Sequence, residues 1–365
     1  MHFALNIQKK QTWFTEYLHL ICANLCAYRE VGHSLSSSKI TIKEVAKRAE
    51  VSIATVSRFL NNPSSLKEAN RRKVDQAVSA LHYQPSFIAQ RLAGAKINTF
   101  GLVIPGYEGI FYTYYASELI RAVAVALDKK GVDLHLHIFW NKDNFKISLV
   151  DGVIFADIIG NELQLERLVK EKLPLVVINK RIDNLEVSFV AIDNFKGAYG
   201  ATEFLIHHGH KRIAHLAGDL RVQCAKERME GYKRALEKNG IKVKEEYIRA
   251  TNFSPAEARE KLKELFSSKT IPTAFFCCSD EVAKEVLNFA EERKISIPKN
   301  LSVIGFDDNP HCLYGNLMLT TVKQPLREMV SCAVQILSEI IDKKDTVKKI
   351  ILQPELIVRD TVSFI

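Results

Sequence analysis

The chain has 365 residues, 47% of them apolar and 25% charged, with a formal net charge of +9. That length exceeds one small domain and suits a small unit joined to a large one, with apolar residues enough for a sizeable core. No uncharged apolar run reaches the roughly 18 residues of a membrane span, and the seven cysteines (22, 26, 224, 277, 278, 312 and 332) follow neither paired nor zinc spacing, so reduced thiols are expected.

In chain order, residues 1–38 show no firm pattern. The stretch Trp13 to Ala27 is interrupted by Glu16 and His19 and makes a poor secretory signal. The pattern sharpens at Thr41. Residues 42–61, IKEVAKRAEVSIATVSRFLN, have the layout of a helix-turn-helix. Val45, Ala49, Val51, Val56 and Phe59 are spaced to face inward, Ala46 falls where the two helices cross, and Ser52 is placed to cap the second helix. That helix would present Ile53, Ala54, Thr55 and Arg58 to a major groove wide enough to admit it. Arg58 suits a guanine contact, and Ser52, Ser57 and Asn61 suit phosphates. Thr41 joins this DNA-facing set. Between Lys39 and Lys96 stand eleven Lys or Arg against four Asp or Glu, which concentrates the positive charge in this segment. Such a basic face fits phosphate neutralisation, whereas a merely solvated surface would spread its charge along the chain.

A third helical stretch follows, LKEANRRKVDQAVSAL from Leu66 to Leu81, and then HYQPSFIAQRLAGAK from His82 to Lys96. In this order of segments the chain resembles the lactose-repressor (LacI) family of bacterial transcription regulators. The likeness continues through GLVIP, HHGHKRIAHLAG at 207–218, RMEGYKRAL at 228–236, CSDEVAKE at 278–285, LSVIGFDD at 301–308 and LTTVKQPLREM at 319–329. It covers residues 39 to about 361. The resemblance implies a helix-turn-helix and hinge over 39–96 and an effector-binding, dimerising core over 97–365. It also implies no cofactor. For residues 1–38 three readings stay open: an added amphipathic helix, a disordered tail, or upstream sequence that is not translated. SLSSSK sits where such a regulator would normally begin, which favours the third.

From Asn98 onward short apolar strands alternate with helical patterns, twice over: TFGLVIP, VDLHLHIFW, DGVIFAD and LPLVVINK, then KRIAHLAG, TAFFCC and LSVIGFDD. This rhythm argues for parallel sheets covered by helices on both faces. Two such blocks predict two Rossmann-like lobes, with ligand sites beyond the carboxyl ends of the strands. Between VDLHLHIFW and DGVIFAD only about ten residues, NKDNFKISLV, are available where family members usually carry a helix, so a truncated connection is expected.

For the cleft, the resemblance places Arg228 of RMEGY as an effector-contacting arginine, whose planar fork suits hydroxyls or a carboxylate. It places Asp280 of CSDEVA as an acceptor for ligand hydroxyls or amines, and Phe253 and Tyr115 as rings against the ligand. Tyr107, Tyr112 and Asp193 complete the candidate set. Aromatic faces with a few hydrogen-bonding groups suit a sugar or a flat base.

No GxSxG elbow, Walker loop, GxGxxG fingerprint or HExxH helix is present, so an enzyme is not expected. HHGH at 207–210 could suggest a metal, but its last two residues fit a helix-to-strand turn with Gly209 at the helix end. A sugar-binding transport receptor would share the core fold, yet would lack 39–96 and carry an export signal. A regulator that no longer binds DNA draws some support from Glu50, because the family's glycine at this turn takes positive φ and a side chain there costs about 1 kcal/mol.

The expectation is therefore an allosteric, cytoplasmic repressor that sits as a homodimer on palindromic operator DNA. It responds to a small molecule, a sugar by default and a purine-type corepressor as the alternative. The hinge, Ser86 to Gly94, is too short to hold as an isolated helix and would order only when two copies meet at the minor groove. There Leu92 would wedge into a base step, and Ala89 would let the two hinges pack closely.

Overall fold

The computed structural model describes residues 40–61, 63–83, 97–106, 113–140, 147, 149–156, 161–310, 317–343 and 347–365. Ala89, Leu92, Tyr107, Tyr112, the extension 1–38 and the side chain of Asn61 lie outside this set. Two compact units divide between Ala95 and Lys96.

The small unit holds three helices, α1 (Ile42–Ala49), α2 (Ile53–Asn61) and α3 (Glu68–Ala80). Eight residues are too few for α1 to hold by itself, so its stability comes from what it buries. Val45, Ala46 and Ala49 form one face and pack with Val56 of α2, Val74 and Ala77 of α3, and Tyr83. Val51 and Phe59 close over this core partly buried. Val45, Val56 and Val74 are each fully buried, worth roughly 1.5–3 kcal/mol apiece as area removed from water. The turn between α1 and α2 is made by Glu50 at φ 54 and ψ 43, while the Val51 N–H returns to the Ala46 carbonyl at 3.1 Å. A left-handed residue here is what lets the chain reverse so tightly.

The large unit contains two six-stranded sheets. The first lobe has β1 (Thr99–Pro105), β2 (Asp133–Phe139), β3 (Gly152–Ala156), β4 (Leu175–Ile178), β5 (Ser188–Ile192) and β11 (Lys349–Leu352), in the order β11-β5-β4-β3-β1-β2. All its pairings are parallel. The second has β6 (Ile213–Ala217), β7 (Ile248–Ala250), β8 (Ala274–Cys277), β9 (Ser302–Asp307), β10 (Thr320–Lys323) and β12 (Glu355–Ile357), in the order β12-β10-β9-β8-β6-β7. Only β12 runs antiparallel to its neighbour.

Strands β3, β4, β5, β6, β8 and β9 are buried along their whole length, which explains why they read as continuous apolar runs. Helices α4 (Tyr114–Asp128), α5 (Glu162–Lys170) and α10 (Leu326–Ile341) belong to the first lobe. Helices α6 (Asn194–His207), α7 (Gln223–Lys238), α8 (Pro255–Phe266) and α9 (Asp280–Glu292) belong to the second. The chain crosses between lobes after β5, after β10 and after β11, and these three strands are what hinge the pair.

The connection between β2 and β3 carries no helix in its described residues, Trp140, Ile147 and 149–151. Instead Ile147 and Val150 pack against the face formed by Val103, Phe139 and Phe155. The Asp151 carboxylate accepts from the backbone of Ile97 at 2.9 Å and of Asn98 at 2.6 Å, tying the connection to the start of β1.

Candidate functional site

In the small unit, α2 carries the predicted groove-facing residues. Ser52, Ile53, Ala54 and Arg58 are exposed, and Ile53 keeps 44% of its surface, unusual for a large apolar side chain at a helix start. Ala54 and Arg58, four positions apart, share one helix face. The Arg58 guanidinium makes no ion pair among the described residues. Ser52 accepts the Thr55 N–H on its hydroxyl at 3.2 Å, and its hydroxyl also meets the Thr55 hydroxyl at 2.9 Å. Ser52 therefore caps α2, and the half-buried Thr55 is tied into that cap. Ser57 is half-buried beside it. Thr41 opens α1: Glu44 accepts its N–H at 2.6 Å and its hydroxyl at 3.0 Å, and these bonds lower the Glu44 pKa. The Thr41 hydroxyl is thus already engaged.

In the large unit the parallel strands of both sheets run with their carboxyl ends toward the other lobe, as the contacts across the junction show. The Tyr114 N–H, at the start of α4 beyond β1, donates to the Glu281 carboxylate of α9 at 3.0 Å. Beyond β4, Arg181 donates through its backbone to Gln223 at 2.8 Å and through its guanidinium to Glu227 at 2.8 Å, both on α7. The cleft is bounded by these two clasps.

Arg228 is buried, 3% exposed, in the middle of this junction. Its Nε donates to Asn194 Oδ1 at 3.0 Å and its Nη1 to the Cys278 carbonyl at 2.5 Å, while the guanidinium lies 3.6 Å over the Phe306 ring. Asp280, equally buried, accepts from the Thr321 hydroxyl at 2.5 Å and from the Asn309 N–H at 2.7 Å. Its carboxylate lies against β9 because position 305 is glycine: a Cβ there would sit 2.1 Å from Asp280 Oδ1. Phe253 holds φ at 61, after Asn252 at 51, two left-handed residues in succession. Its ring covers Gly218, where a Cβ would fall 2.2 Å from the ring. A bulky residue in that region is strained, and such strain concentrates where a binding surface is shaped.

Tyr115 is half-buried against the first lobe's core, one residue after the clasp. Asp193 caps α6, accepting the Lys196 N–H at 2.8 Å, at the first crossing between lobes. Arg228, Asp280 and Asn194 thus come together, and Phe253, Tyr115 and Asp193 stand on the surrounding strand ends and crossings.

Residues that sequence reasoning passed over complete the junction. Asn194 anchors Arg228. Asp307, the last residue of β9, is 6% exposed and accepts from the Gln324 amide. Burial, with Glu281 and Asp280 nearby, pushes its carboxyl well above the usual range, against the pull of Arg228. Asp308 turns away to pair with Arg359 at 2.5 Å. No spacing rule separates these two adjacent aspartates; only the left-handed backbone at both, φ 130 and 59, divides their roles.

The HHGH cluster has other duties. His210 is fully buried, with one ring nitrogen on the Thr273 hydroxyl at 3.0 Å and the other on Ser302 at 2.9 Å. His208 stacks between Phe204 and Phe364, each ring centroid 4.2 Å away. Gly209 takes φ 91 just past the end of α6.

A basic helix-turn-helix joined to a two-lobed cleft defines a ligand-gated DNA-binding regulator. Residues 41–86 match the model of bacterial regulatory proteins of the lacI family, and residues 202–362 match a periplasmic binding protein-like domain. The chain is 31% identical over 331 residues to catabolite control protein A of Priestia megaterium, covering 87% of this chain and 97% of that protein. It superimposes on the transcriptional regulator CelR in complex with cellobiose with TM-score 0.66 at 25% identity, over 88% of this chain and 99% of that one. It superimposes on the lac repressor dimer bound to operator and an anti-inducer with TM-score 0.76 at 22% identity, over 89% and 100%. The chain belongs to the LacI family of bacterial transcriptional regulators.

Proposed function

We propose that this repressor acts as a homodimer in the cytoplasm, on palindromic operator DNA, and that a sugar bound between its lobes releases it. The observation that carries the reading is the pairing of an exposed Ile53, Ala54 and Arg58 on a capped helix with Arg228 and Asp280 buried at a clasped lobe junction. Arg58 reads a guanine through its planar fork, and Ile53 and Ala54 supply apolar contact. Ser52 and Ser57 stand nearer the phosphates. In the core, Arg228 and Asp280 supply the polar contacts and Phe253 a face for a sugar ring. Tyr115 and Asp193 stand at the rim. The CelR–cellobiose relative supports a sugar as the ligand class. Residues 39–96 and 97–365 are taken as the working division between DNA binding and ligand binding, with Ala89 and Leu92 as the switch between them.

Ligand and operator must influence each other by the same factor, because the coupling is a single free energy. The test combines both arms. Arg58→Ala and Leu92→Ala should each abolish specific operator binding in a mobility-shift assay and leave ligand-induced thermal stabilisation of the core intact. Operator affinity unchanged by both substitutions would overturn the DNA-reading part.

A further inference from the structure

Two buried amides at the lobe junction carry atoms without a hydrogen-bond partner: both of Asn161 and one of Gln324. Asn161 is 0% exposed, and neither its Oδ1 nor its Nδ2 is hydrogen-bonded. It opens α5, five positions beyond the last residue of β3, and so stands on the carboxyl edge of the first lobe that faces the second. It does not serve its own helix, since its side chain makes no capping bond. Gln324, 6% exposed, stands across the junction where the chain leaves β10. Its Nε2 donates to Asp307, while its Oε1 accepts nothing. Buried amides are nearly always satisfied, so an unmet pair on two facing edges is an exception that a ligand can explain.

The charge around them is lopsided. The junction carries the carboxylates of Glu227, Asp280 and Glu281, and the carboxyl of Asp307 that burial holds toward its neutral form, against the guanidiniums of Arg181 and Arg228. Arg181 is held by Glu227, and Arg228 already donates to Asn194 and Cys278 and covers Phe306. Acceptors outnumber uncommitted donors on this wall. A ligand rich in O–H or N–H groups completes it, whereas an added acidic group meets like charge in a site shielded from water.

The geometry points to a cleft that selects a ligand without acidic groups, held by Asn161 from the first lobe and Gln324 from the second. This rests on the reading of the cleft as the effector site. Phosphorylated sugars, sugar acids and nucleotides are then excluded, and neutral or amine-bearing polyols are admitted.

The full chain should be titrated by calorimetry and thermal unfolding with matched sets that differ only in charge. Glucose, glucosamine, glucose 6-phosphate and glucuronate form one set; ribose and ribose 5-phosphate, galactose and galacturonate, and cellobiose extend it. The neutral or amine member of the responding set should bind at least tenfold tighter than its acidic partner. Asn161→Leu should then weaken that ligand at least tenfold while raising the melting temperature of the free protein. Should Asn161→Leu fail to fold, Asn161→Ser carries the same comparison. An acidic member that binds more tightly overturns the charge selection but leaves the effector reading standing. An Asn161 variant that melts higher and binds unchanged overturns the role of that amide. A panel in which nothing binds, with operator binding intact, sinks the effector reading and this inference with it.

Discussion

Single residues decide whether the cleft is competent. Gly305 is the sharpest case, because the Asp280 carboxylate occupies the space where any side chain at 305 would begin. Gly305→Ala should push that carboxylate off Thr321 and Asn309 and crowd Leu319, whose Cδ2 would lie 2.9 Å from the new methyl. A loss of about 1–3 kcal/mol in stability is expected, with loss of the ligand-induced thermal shift. Denaturant unfolding with a ligand screen would check it; a fully stable, responsive variant would show that Asp280 can bind from another position. Arg228 was legible from its motif. Asn161 and Gln324 were not, because their significance lies in hydrogen bonds they fail to make, and a sequence does not display unmet partners.

At the level of elements, two local structures make testable claims. The α1–α2 turn places Glu50 at φ 54, where glycine is free of strain, and among the described residues its side chain gains an exposed contact with Lys73 at 3.7 Å. Such a pair is worth little. Glu50→Gly should therefore stabilise the helix-turn-helix by about 1 kcal/mol with specific operator recognition retained, seen as a higher melting temperature of that unit. The strain was readable from the sequence once the helix-turn-helix was placed, since only one residue could stand at the turn.

Strand β6 makes the second claim. His215 is fully buried, stacked between Tyr232 and Phe276, with Nδ1 on the Phe276 carbonyl at 2.9 Å. Burial lowers its pKa from 6.5 to about 4. The unfolded chain therefore takes up a proton before the folded one does. The stabilisation is complete above pH 6.5 and is lost as pH falls toward 4, a change of about 3 kcal/mol. His215→Phe should flatten this acid limb in denaturant titrations between pH 4 and 7. An identical slope in the variant would assign the acid sensitivity elsewhere.

For the core as a whole, the two clasps hold the lobes in this arrangement. The Arg181 guanidinium remains 44% exposed on its side chain, so its bond to Glu227 contributes modestly, on the order of 1 kcal/mol or less. Arg181→Ala should loosen one edge of the cleft and raise the ligand dissociation constant by roughly threefold to tenfold, measured by calorimetry. Tighter binding instead would mean that the clasp opposes the ligand-bound arrangement.

The sequence by itself determined the architecture and the class. Helical and strand periodicities depend on neighbours three, four or two positions apart, so the helix-turn-helix, the strand–helix alternation and the short β2–β3 connection can all be read along one line. The capping of α2 by Ser52 and the helix end at Gly209 are equally local. Tertiary structure alone decided which polar residues share the junction. Arg228 and Asn194 are 34 positions apart, and Asp280 and Thr321 are 41 apart. They meet because α6 and α7 pack on each other and α9 starts beside β10 in the fold of the second lobe. Burial, which sets the charge on Asp307 and leaves Asn161 and Gln324 unmet, belongs to that assembled junction and to no segment taken alone.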